Sequence, residues 1–146
     1  MSISATIKNS FERSFALYRD LIHSIEEYNL NSKLPKIPSN TLGLQLWCVV
    51  GARESFSKAI NQGQWAAFSC SLESTSDKTP VADALNRSAK LVIEALENID
   101  DYTNTQNRLI IDLLEHEAAH HGQLIRYIYG LNLEIPESWK KKYSLQ

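Results

Sequence analysis

Apolar residues recur at three- and four-residue steps in four separate stretches of this chain, and no stretch alternates as a strand would. That period places one side of each stretch on a continuous stripe, which an α-helix can bury and a strand cannot. In the first stretch Ile7, Phe11, Phe15, Tyr18, Ile22, Ile25 and Tyr28 form the stripe, and the spacing predicts a helix from about Ala5 to Tyr28. "NLNSKLPKIPSN" then breaks it, because its two prolines remove backbone donors and disfavour helix in the residues before them. A second helix is expected from near Asn40 to Gly63, on Leu42, Leu46, Val49, Phe56 and Ile60. Beside that stripe run Gln45, Cys48, Ala52 and Ala59, small or polar side chains that allow a close neighbour or line a cavity.

"GQWAAFSCSLESTSDKTP" has no sustained period, yet Trp65 and Phe68 are too apolar for a free linker. It reads as a long crossover packed on the helices. Thr79 followed by Pro80 signals the start of a third helix, with Ala82, Leu85, Ala89, Val92, Leu96 and Ile99 on its stripe. Asn104 is placed to cap the fourth, which runs to about Tyr129 with Gly130 as its stop. The tail after it carries Ile135, Trp139 and Tyr143, which favour a groove over water, and is expected to have no helix of its own. The expected fold is therefore all-α: a single domain over residues 1–146, four helices packed as a four-helix bundle, and a short C-terminal tail packed on them.

Composition narrows the function. A net charge of −2 lacks the basic field that a phosphate backbone requires, so nucleic acid is not an expected partner. No run of eighteen apolar residues is present to span a membrane, and the N-terminus has no signal-peptide pattern; the expected location is the cytoplasm. Cys48 and Cys70 are too few and too far apart for a disulfide framework.

The chemistry concentrates in "LLEHEAAHHGQLIRYIYG". Its inward stripe is Leu109, Leu113, His116, His120, Gln123, Tyr127 and Leu131, so two histidines four residues apart sit on the seam. Side chains at that spacing have Cβ atoms about 5–6 Å apart, close enough for two imidazoles to meet one ion. His121 is rotated by about 100° and is expected to miss that point. "HEAAH" also matches the zinc-protease pattern H-E-x-x-H, but "HGQLIR" follows it without a further histidine, and Glu134 and Glu137 lie in a short tail. A third ligand is expected from a neighbouring helix instead.

The segment "HEAAHHGQLIRYIYGLNLEIPESW" resembles the last-helix signature of the DinB-like, damage-inducible four-helix bundles, and "LQLWCVVGARESFSKAI" resembles that family's second helix. The resemblance implies that His116 and His120 are metal ligands. It also implies a homodimer, a divalent zinc or nickel ion, and in some relatives transfer of a small-molecule thiol or isomerisation of a thiol adduct. The chain departs from the family at the third ligand, where Cys48 stands in place of the second-helix histidine. Two readings of Cys48 stay open: a thiolate ligand completing a Cys-His-His set, or a small buried hydrophobe.

Gln45 and Gln123 are candidate partners for the ligands, Glu117 is expected to be an exposed carboxylate, Arg53 and Glu54 are expected as surface or dimer-rim charges, and His23 is expected at the surface. Two functions follow: a metal-dependent thiol transferase or hydrolase using Cys48, His116 and His120, or a metal-free bundle with a stress-related structural role.

Overall fold

The computed structural model describes residues 1–146. It contains helices α1 (Ile3–Ser24), α2 (Leu42–Gln62), α3 (Lys78–Glu97), α4 (Asn104–Gly130) and α5 (Glu137–Tyr143), one 3-10 turn at Glu27–Asn31, and no strand. The all-α expectation is met, and the boundaries move for local reasons. Ile25 is extended and Asn29 bonds back to the Glu26 amide, so α1 ends early and Tyr28 is thrown into solvent. Thr41 caps α2 through the Leu44 amide, and Gly63 ends it in the left-handed conformation. Asp77, not Thr79, precedes α3, with Pro80 inside its first turn, where a missing N–H costs nothing. Thr103, not Asn104, caps α4, in a reciprocal pair with Gln106. Gly130 remains helical, and a Cβ there would lie 2.8 Å from a Leu34 methyl, so close packing explains this glycine.

Each long helix passes from one apolar cluster to a second through a polar layer. On α1, Phe11 belongs to the smaller cluster and Leu17 to the larger, with Ser14 between them. The order reverses on α2 (Val50, then Arg53, then Ala59) and on α3 (Leu85, Ser88, Val92), and returns on α4 (Leu113, then Glu117 to His121, then Leu124). Hence α1 and α4 run in one direction and α2 and α3 in the other.

Because α2 and α3 are parallel neighbours, the chain must travel back along the whole of α2 before α3 begins. Residues 63–77 do this in extended form. Phe68 stacks on Trp47, the Ser69 amide donates to Ser55 Oγ, the Cys70 thiol donates to the Trp47 carbonyl, and Glu54 accepts from the Ser71 amide and hydroxyl. Further along, the Thr75 carbonyl oxygen lies 2.1 Å from where a Cβ on Gly43 would be, so only glycine admits the strand of coil there. Glu54 is thus a crossover anchor.

The tail is not irregular. It forms α5, which packs against Leu17 of α1 and His121 of α4, buries Trp139 completely, and donates its indole N–H to the Leu17 carbonyl at 2.8 Å. No helix is long and apolar enough to cross a membrane.

Candidate metal centre

Cys48 lies a third of the way along α2, and His116 and His120 lie on the facing side of α4. Their ligand atoms all fall within 4.8 Å of one another. Cys48 Sγ is 3.6 Å from His116 Nε2, and the two imidazole centroids are 4.5 Å apart. For a tetrahedral zinc at ordinary bond lengths, sulfur and nitrogen ligands sit about 3.5 Å from each other, so the Cys48–His116 separation already fits. The donor set fits as well: one thiol that can become a thiolate, and two imidazoles.

A chain of hydrogen bonds sets the state of His120. Gln45 Nε2 donates to Asn40 Oδ1, which turns Gln45 Oε1 toward the ring, and Tyr127 Oη gives its one proton to the Asn40 backbone carbonyl at 2.5 Å. That oxygen can only accept, so His120 Nδ1 at 2.8 Å must carry the proton and Nε2 must carry the lone pair. A metal-ligating histidine is commonly oriented in this way by a hydrogen bond to its other nitrogen. Gln45, one turn before Cys48, supplies it. Gln123, the other candidate, is exposed and makes no such bond, because its position falls just outside the buried arc of α4.

His116 differs, since its Nδ1 is buried and meets no partner. An unmet buried polar atom costs about 1–3 kcal/mol, which marks this ring as the least settled of the three. Burial lowers the pKa of His116, and it drives that of His120 down to about 4 with help from the adjacent His116. Burial also raises the Cys48 thiol. Near neutral pH the imidazoles are free to donate lone pairs while the thiol keeps its proton. Cys48 and His116 are only half-buried, so the cluster is reachable from solvent.

Behind α4, away from this cluster, two expectations fail together. Glu117 and Arg53 are each about 1% exposed, and they form a two-bond ion pair through Arg53 Nε and Nη2. Arg53 also donates to the Leu85 carbonyl, and its guanidinium lies over Phe15 and Tyr18 at 4.6 and 5.0 Å. Ser14 donates to Glu117, and Tyr18 donates to the Glu117 carbonyl. Neither charge is at the surface, because each is the other's only adequate partner inside the protein. His121 does miss the metal cluster, as expected, yet it is buried: Nε2 meets Ser14 Oγ at 2.8 Å and Nδ1 meets Tyr143 Oη at 2.6 Å. Since Ser14 gives its proton to Glu117, His121 Nε2 donates and Nδ1 accepts from Tyr143. His23 is exposed, as expected.

His121 is also held down to about 4, burial being the main cause. A histidine with a lowered folded pKa contributes stability that is present above its unfolded value of 6.5 and is lost as pH falls toward 4. Metal-free protein should therefore lose on the order of 2 kcal/mol between about pH 6.5 and about pH 5, for His120 and His121 together after allowance for solvent screening. Urea midpoints measured across that window check this. A midpoint that does not move would show that the two rings are not buried neutral.

The chain matches no model of a known protein family, and no curated protein is significantly similar to it.

Proposed function

We propose that this protein is a metal-dependent enzyme whose divalent ion, zinc or nickel, is held by Cys48, His116 and His120. The observation that carries the reading is the convergence of those three ligand atoms within 4.8 Å across two helices. The orientation of His120 by Gln45 supports it. The helix order and the departure-and-return of the crossover are those expected of a four-helix bundle, and we assign the chain to the DinB-like type on the residues that resemble it. Three protein ligands leave a coordination position for a substrate, and a bound divalent ion would lower the pKa of a small-molecule thiol and hold it as a thiolate nucleophile. Thiol transfer is the reaction we favour, with metal-assisted hydrolysis as its neighbour.

The second reading has its own observation. A neutral Cys48 thiol donating to His116 Nε2 at 3.6 Å would pair the thiol and Nε2 without an ion, as in a metal-free structural bundle, with only His116 Nδ1 left unmet. Zinc titration of chelator-stripped, tag-free protein separates the two. Under the metal reading, wild type binds one ion, Cys48→Ser weakens binding by at least about a hundredfold, Cys48→His restores it, and Gln45→Leu weakens it about 10–100-fold. Equal affinity in wild type and Cys48→Ser would remove Cys48 from the site, and no binding in wild type would leave the structural reading.

We also propose a cytoplasmic homodimer. Leu44 on α2 and Trp65 and Phe68 on the crossover are 40–45% exposed and offer the apolar contact. Sedimentation should give one species of twice the chain mass of 16.6 kDa, and a monomer at micromolar concentration would overturn the dimer.

A further inference from the structure

On the side of α4 opposite the metal cluster, α1, α4 and α5 enclose a partly open cavity of about 190 Å³. Its polar floor is Ser14, His121 and Tyr143, whose mutual bonds already use their donors. Leu17, Leu114 and Ala118 form an apolar wall. Two cations, Arg13 of α1 and Lys142 of α5, line the same space, and neither has an acidic partner or a hydrogen bond within the protein. Glu117 is the one acid that lines it, and Arg53 neutralises that charge from behind.

Arg13 and Lys142 are both exposed side chains, and the cavity they line is partly open to solvent. An anion with a short apolar body offers the two cations a charge partner and the Leu17, Leu114 and Ala118 wall a matching apolar surface.

We infer that this cavity is a second binding site, for a short-chain monocarboxylate, with its carboxylate at Arg13 and Lys142 and its hydrocarbon body against Leu17, Leu114 and Ala118. The site needs no metal and stands apart from the metal reading. Its walls come from three helices, so occupancy joins α5 to α1. A ligand there stabilises the docked tail.

Butyrate is a suitable probe, with butyramide as its neutral match and inorganic phosphate as an anion lacking the apolar body. Each is titrated at constant ionic strength into wild type while amide and side-chain resonances are followed. Butyrate should shift the signals of Ser14, His121 and Tyr143 saturably, with butyramide and phosphate at least roughly tenfold weaker. Arg13→Gln and Lys142→Gln should each weaken butyrate severalfold and together at least roughly tenfold, whereas Lys141→Gln, an exposed cation that does not line this cavity, should leave it unchanged. Cys48→Ser should bind butyrate as wild type does. Equal response to butyrate and butyramide, shifts spread over the surface, or the same loss in Lys141→Gln would overturn the site.

Discussion

Arg53→Met is expected to destabilise the protein by about 3–5 kcal/mol, and adding Glu117→Leu to it is expected to recover much of that loss. The single change removes the only cation that faces the Glu117 carboxylate and leaves a charge with about 1% exposure among α1, α2 and α4. Ser14 remains as a hydrogen-bond donor, but one hydroxyl cannot offset an unpaired buried charge. Methionine retains most of the volume between Phe15 and Tyr18, so the loss reports the charge rather than a cavity. In the double variant no charge is left to desolvate, and an apolar pair can fill the layer between the two clusters. Urea midpoints for wild type, both single variants and the double variant form a cycle. If the single effects simply add, the two residues are not a pair in solution and the polar layer is misassigned.

Trp139→Ala is expected to cost about 3–5 kcal/mol, because it empties the largest fully buried side chain in the protein and leaves the Leu17 carbonyl without its indole donor. The effect should reach beyond the tail. At seven residues α5 has no helical stability of its own and persists only while docked. Undocking it takes Tyr143 away from His121 Nδ1, and the His121 ring also loses the indole whose centroid lies 5.6 Å away in wild type. Limited proteolysis should therefore cut the variant between residues 132 and 146 under conditions where wild type resists. Protection equal to wild type, or a stability loss below about 1 kcal/mol, would mean that the tail is held by something other than this tryptophan.

Much of this architecture was readable from one strand of reasoning. The three-four spacing of apolar residues reports which side of a helix prefers to leave water, and that preference is local, so α1 to α4 emerged with ends displaced by a few residues. The seam positions of His116 and His120 follow from the same periodicity, and Cys48 emerged as their partner through a resemblance in the second helix. His121 was also assigned away from them by rotation alone. None of these inferences needed to know which helices are neighbours.

The remainder depended on neighbours. Arg53 and Glu117 each have the composition of a surface residue, and only the approach of α2 to α4, 64 positions apart in sequence, turns two costly charges into one tolerable pair. Gln45 and Gln123 are equally plausible partners for His120 along the chain, and the choice fell to Gln45 because Asn40 orients its carbonyl oxygen at the ring. The tail's apolar residues were visible, whereas its helix was not, since seven residues fold only when docked, here against Leu17 of α1 and His121 of α4. Periodicity, carried by each segment alone, determined the helices and the histidine seam; pairing of buried polar groups, which requires two segments at once, was decided by the tertiary structure.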